Sequence, residues 1–235
     1  MGLVFLATAA LAQQQQPVEI TSEPRHHLVF ENEYVRVFDV TVAPKDTTLV
    51  HRHNHDYLFV TLGDSDVVSA RPGEKPVALL LKDGEVRYTP GNFAHAAINN
   101  ADRPFHNTTI ELLKPTTNER PCEVNCARDL WARDPRTGEL FPEANRLYVS
   151  DQWTVTVVML PPKSNLNLGH NLPQLVIPVS NLELSAIPSS ADSPIKRTPG
   201  QIDWLPKGIM HPLYNNSAQT ARFIVLEFNP EQPKQ

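Results

Sequence analysis

The sequence predicts an all-β protein built as two tandem barrels. Two observations carry that prediction. Short β-branched and aromatic runs are separated by turn residues, and 22 prolines stand against 9 glycines. That balance suits many short strands with stiffened loops rather than long helices. A segment also recurs: Gly84, Pro90, His95 and Asn99 return as Gly200, Pro206, His211 and Asn215, each 116 residues later. Four matches at one offset read as an internal duplication. The 235 residues suit one or two domains, and 40% hydrophobic content suits a globular core.

In chain order, residues 1–12 are apolar and end in Ala10-Leu11-Ala12, the small-x-small form of a signal-peptidase site. The run is too short to span a membrane and lacks a positively charged start. Residues 1–16 therefore read as the remnant of a signal peptide and a polar tether, and the protein is expected to be exported, periplasmic or secreted. Residues 17–114 form the first barrel, with strands expected at 34–42, 47–53, 57–62, 67–70, 78–81, 85–89, 94–99 and 107–113. Residues 115–145 break the pattern and read as a partly helical linker, with a short helix at 124–133 and Trp131 packed on a barrel. Residues 146–230 form the second barrel, with strands at 153–160, 175–179, 202–205 and 223–228, and 231–235 are a polar tail. Cys122 and Cys126 are the only cysteines. In an exported chain they would pair with each other, and in a cytosolic one they would be bystander thiols.

Chemistry concentrates at His51-Arg52-His53-Asn54-His55-Asp56-Tyr57. On a strand, residues two apart share a face, so an H-x-H pair aims two imidazoles at one point. Neutral imidazole is the commonest side-chain metal ligand. His95 follows the tight Pro90-Gly91 turn and is placed to supply a third.

These residues carry a resemblance to the cupin superfamily. Residues 200–215 match its second motif, G-x5-P-x-G-x2-H-x3-N, at every specified position. Residues 84–99 depart only in having Pro90 and Gly91 adjacent, with the spacer moved beyond the glycine. Residues 51–57 are similar to the first motif, H-x-H-x3-E, with Tyr57 where the family usually has glutamate. The chain thus resembles a two-domain cupin, or bicupin. The resemblance implies tandem jelly-roll barrels and one divalent metal (iron, manganese, nickel, copper or zinc) held by His51, His53 and His95. Tyr57 is a poor ligand while neutral. Its expected role is to donate a hydrogen bond to a metal-bound group. The second barrel has at best His170 and His211 and reads as structural.

Two functional readings follow. One is a metal-dependent enzyme, an oxygenase or isomerase, acting on a small organic substrate in the first barrel. The other is a non-catalytic exported bicupin that binds a small ligand or partner, its histidines vestigial or structural. A net charge of −5 argues against a nucleic-acid partner. A homodimer is plausible, since barrel-to-barrel dimers occur in the family. Arg36 and Arg87 are candidates for holding an anionic substrate, although strand arginines more often lie on the solvated face. His26, His27 and His106 read as surface histidines, and His55 and Asp56 as minor candidates for ligation. Asn107 and Asn215 begin N-x-S/T patterns of low specificity.

Overall fold

The computed structural model describes residues 16–116, 120–121, 143–166, 172–185, 194–207 and 213–229. Ten strands build the first barrel: β1 (Val18–Glu19), β2 (His26–Glu31), β3 (Val35–Val42), β4 (His51–His53), β5 (Tyr57–Thr61), β6 (Ser65–Ala70), β7 (Val77–Leu81), β8 (Val86–Thr89), β9 (Phe93–Asn99) and β10 (Phe105–Leu112). They lie in two sheets, ordered β1-β4-β9-β6-β7 and β2-β3-β10-β5-β8. After β11 (Arg120–Pro121), the second barrel uses β12 (Glu143–Val149), β13 (Trp153–Leu160), β14 (Asn165–Leu166), β15 (Gln174–Pro178), β16 (Leu182–Ser185), β17 (Ile195–Arg197), β18 (Asp203–Leu205), β19 (Leu213–Asn215) and β20 (Ala221–Phe228). Their orders are β11-β12-β13-β20-β15-β18 and β14-β19-β16-β17.

The expected all-β, two-barrel architecture is what the chain adopts. Among the described residues the only helical turn is the 3-10 segment Ile20–Ser22. None of their helices is long and apolar enough to cross a membrane. The leader, the expected linker helix, Trp131, both cysteines, His170 and His211 lie outside the described residues. One strand is shorter than the sequence suggests: of 47–53 only His51–His53 forms a ladder, while Thr47 makes a single bridge to Ile98. Seven strands, β1, β11, β12, β14, β16, β17 and β19, have no counterpart in the sequence reading. All but β12 are two to four residues long, too short to show a period-2 pattern.

The duplication is visible in hydrogen bonds as well as letters. The Asn99 amide donates to the carbonyls of Val42, Ala43 and Arg103, at 3.1, 3.1 and 2.8 Å. Asn215 does the same to Leu160, Pro161 and Gln219, at 2.9, 3.2 and 2.7 Å. Each amide ties the end of a long strand to the loop after the motif strand. The motif asparagine is therefore a clamp that satisfies backbone carbonyls at the barrel rim. Lys45 and Lys163 repeat too: both take positive φ (59° and 57°), and their ammonium groups donate to the carbonyls of Asn100 and Asn216.

Three apolar cores result. Phe38, Val40, Val42, Val67, Leu81 and Phe105 fill part of the first barrel. Val158, Leu160, Leu182, Leu184, Phe223 and Val225 fill the second. The third and largest lies between the barrels, where Val35, Val37, Leu58, Val60 and Ile110 meet Trp153, Val155, Leu175, Ile224 and Leu226. Strands such as β13 and β15 are therefore buried on both faces, which erases the polar alternation of a half-exposed strand.

Candidate metal centre

β4 and β9 pair antiparallel, with His51 directly opposite His95 and His53 opposite Phe93. Directly opposed residues point to the same face of a sheet, so this register turns His51, His53 and His95 inward together. Their ring centroids are 4.7–5.2 Å apart, and one nitrogen from each lies within 4.8 Å of the others. All three are at least nine-tenths buried.

Hydrogen bonding identifies the nitrogens that face one another. His51 Nδ1 lies 2.9 Å from the Leu49 carbonyl. A carbonyl only accepts, so Nδ1 carries the proton and Nε2 keeps its lone pair. That Nε2 is buried with no hydrogen-bond partner. His95 Nδ1 is 2.8 Å from the Ser69 hydroxyl, and its Nε2 is 3.2 Å from His53 Nε2. Two imidazole nitrogens bound to one ion at about 2.1 Å and roughly tetrahedral angles sit about 3.4 Å apart. The donor set therefore fits a cation: three convergent ring nitrogens, of which the His51 Nε2 lone pair is otherwise orphaned at a cost buried polar groups rarely bear. With Nε2 of His53 as a ligand, its Nδ1 is the N–H left buried without a partner. Burial, reinforced by the neighbouring histidines, lowers His51 to about 4, His95 to about 3 and His53 well below the usual range. The three rings are thus neutral ligands at physiological pH.

The other sequence candidates fall into place around this triad. Tyr57 is buried and its ring stacks on His53, centroids 4.1 Å apart at 15°. Burial raises its phenol to about 12, against a hydrogen bond with Thr89, so it is neutral and braces His53 as a flat wall. Asp56 is engaged elsewhere, accepting from the Tyr88 hydroxyl at 2.6 Å and the Gly91 amide at 2.8 Å. His55 is outside the triad. Arg87 lines the cavity but bonds Glu85 at 2.6 Å. Arg36 serves Glu31 and Glu111 instead. His106 belongs to β10 and pairs with Asp39 at 2.6 Å. Asn107 and Asn215 are buried, which removes both as glycan acceptors in the folded chain.

His26 corrects the sequence reading. It is buried, lines the cavity, and its ring centroid lies 4.5 Å from that of His51. Its Nδ1 is 2.7 Å from Oε2 of the buried Glu23. The Glu23 carboxylate also accepts from the amides of Arg25 and Leu49, at 2.8 and 3.1 Å. Burial pushes that carboxyl up, but these hydrogen bonds prevail and hold it at about 2. Glu23 three residues before His26 was the available local signal. Its meaning depends on β2 folding over β4, which the local sequence does not encode.

The triad sits in a cavity of about 450 Å³, the size of a small-molecule site. Its walls include Phe59, Val67, Leu79, Leu81, Phe93 and Phe105.

No protein-family model matches this chain, and no curated protein matches it. Solved structures do. AerE from Microcystis aeruginosa is similar with a TM-score of 0.57 at 12% identity, over 88% of this chain and 99% of that one. The cupin 2 conserved barrel domain protein from Leptotrichia buccalis gives 0.51 at 8% identity, over 87% and 88%. Bacillus subtilis oxalate decarboxylase, in a structure described for its Mn(II) centres, gives 0.51 at 12% identity, over 86% and 70%. The likeness is one of fold. This chain has the tandem-barrel architecture of the cupins, and its two barrels make it a bicupin in form.

Proposed function

We propose that the first barrel holds one divalent metal through Nε2 of His51, His53 and His95. The protein is then a metal-dependent enzyme of the oxygenase or isomerase class, acting on a small organic substrate. One observation carries this reading: three buried imidazoles, neutral and convergent, open onto a cavity large enough for a substrate. A manganese-containing oxalate decarboxylase of the same fold supports a metal role for such a barrel. When bound, the metal would act as a Lewis acid with coordination positions left for an oxygen-bearing ligand. The chain's own residues do the rest. The Leu49 carbonyl and Ser69 hydroxyl fix the His51 and His95 rings, a recurrent device for orienting ligands. Tyr57 and Phe93 flank the His53 ring, and the apolar walls keep bulk water from the reacting end.

Elemental mass spectrometry on purified protein tests this. About one divalent ion per chain, lost in a His51→Ala/His53→Ala variant, is the expected result. Protein that takes up no metal even after reconstitution would overturn it. Iron would direct the next assay to oxygen consumption. Tyr57 in place of the carboxylate favours a second reading, a non-catalytic ligand-binding bicupin. There the histidines are vestigial or structural, and small-molecule binding without turnover that is unchanged in His51→Ala/His53→Ala would select it. Export is part of the proposal and rests on Ala10-Leu11-Ala12. Recovery of the native protein from the cytoplasm with residues 1–12 intact would contradict it.

A further inference from the structure

The cavity holds a second chemical feature, at its mouth. The hairpin 71–76 joins β6 to β7, and Arg71, Glu74, Lys75 and the following Val77 all line the cavity. The Arg71 guanidinium carbon lies 3.8 Å above the centre of the Phe93 ring, a cation–π seat that fixes its position. Phe93 in turn packs against His53 and His95, at 5.6 and 5.3 Å between centroids. The cation therefore stands one aromatic ring away from the triad.

Arg71 is also poorly neutralised. Its acidic partner among the described residues is Glu74 at 4.0 Å, the outer limit of an ion pair and too long for a hydrogen bond. Arg25, Arg36 and Arg197 bond carboxylates at 2.7–3.1 Å, and Arg87 does so at 2.6 Å. In a chain of net charge −5, an arginine with free donors over a largely apolar cavity calls for an anion from outside.

We propose that the cavity takes a small monocarboxylate with an apolar body. Arg71 grips the carboxylate, the aromatic and aliphatic walls take the body, and the far end faces the triad. A guanidinium presents paired donors that match a carboxylate. Lys75 and Glu74 at the same mouth offset one another, so Arg71 leaves about one net positive charge there, which matches a monocarboxylate rather than a phosphate dianion. The proposal deepens the metal reading, and depends on it only for the end that meets the triad.

Isothermal titration with 3-phenylpropionate and its neutral isostere 3-phenylpropanamide tests it, on metal-loaded and on chelator-stripped protein. The acid should bind roughly tenfold more tightly than the amide, as one charge-assisted contact allows. The preference should vanish in Arg71→Met, survive in part in Arg71→Lys, and persist in the stripped protein. Equal binding of acid and amide, or no binding of either at millimolar concentration, overturns the proposal. A preference that survives Arg71→Met but disappears on stripping places the carboxylate on the metal, so the Arg71 assignment falls and the metal reading stands. An Arg71-dependent preference in a protein that never takes up metal does the reverse.

Discussion

At the scale of single residues, Tyr57 and Glu23 show how burial assigns roles. Tyr57 is neutral, with its phenol raised to about 12, and its contact with the triad is the stack on His53. Tyr57→Phe keeps that stack, so its metal stoichiometry should equal wild type. Tyr57→Ala removes the wall and should weaken metal retention roughly tenfold, as loss of an orienting neighbour does; competition against a chromogenic chelator reads both. Glu23 bears on stability. Its folded carboxyl is held at about 2 against an ordinary 4.5, so it stabilises the fold above about pH 4.5 and that contribution fades as pH falls towards 2. The full amount is about 3 kcal/mol. Urea denaturation should show wild type losing about half of that stability between about pH 4.5 and about pH 3. Glu23→Gln should begin lower and lose less, and parallel pH profiles for the two would contradict the assignment. His51 and His53 were legible because H-x-H on a strand has one geometric meaning, and His95 because it follows the Pro90-Gly91 turn of the recurring segment. His26 was not, because its partner carboxylate and its neighbour His51 meet only through tertiary folding.

At the scale of elements, the Pro90-Gly91-Asn92 turn explains its own departure from the motif. A Cβ on Gly91 would lie 2.4 Å from the His55 carbonyl carbon and 2.5 Å from its oxygen, so no larger residue fits there. The next position needs positive φ, and Asn92 supplies it at 62°, asparagine being the residue that tolerates that region best after glycine. Close approach and left-handed backbone are thus divided between two residues. Asn92 also donates its amide to the His53 carbonyl at 2.7 Å, tying the turn to a triad strand. Gly91→Ala should therefore cost about 1–3 kcal/mol and lower metal occupancy with it. Thermal melting beside metal analysis checks this, and a variant with normal stability and full occupancy would show the turn to be slack. Most strands of the first barrel were legible from β-branched runs and turn residues, but in the second only β13, β15, β18 and β20 were. β14, β16, β17 and β19 are too short and mixed to announce themselves.

At the scale of the molecule, the duplication was legible but the way the copies join was not. The joining surfaces are strands buried on both faces, and a continuous apolar run does not say which side meets a neighbour. The structure supplies that answer. Tyr34 packs on Trp204 and Phe228, and Tyr88 on Trp153, at 5.3–5.8 Å between centroids. Arg222 of the second barrel bonds Asp83 of the first at 2.7 Å. Gly200 leaves room for Asp39 and His106, which a Cβ there would meet at 3.0 Å. With the largest apolar cluster shared, neither barrel can open without exposing the other's core face, so the two should unfold as one cooperative unit. Leu226 is fully buried in that shared cluster, and Leu226→Ala should cost about 2–5 kcal/mol. The loss should reach the triad although Leu226 belongs to the other barrel. Calorimetry should record one transition for wild type and one, at lower temperature, for the variant. Hydrogen exchange should show protection falling together in β9 and β15. Two separate transitions, or protection lost in β15 alone, would mean that the barrels fold independently and the shared core merely holds them side by side.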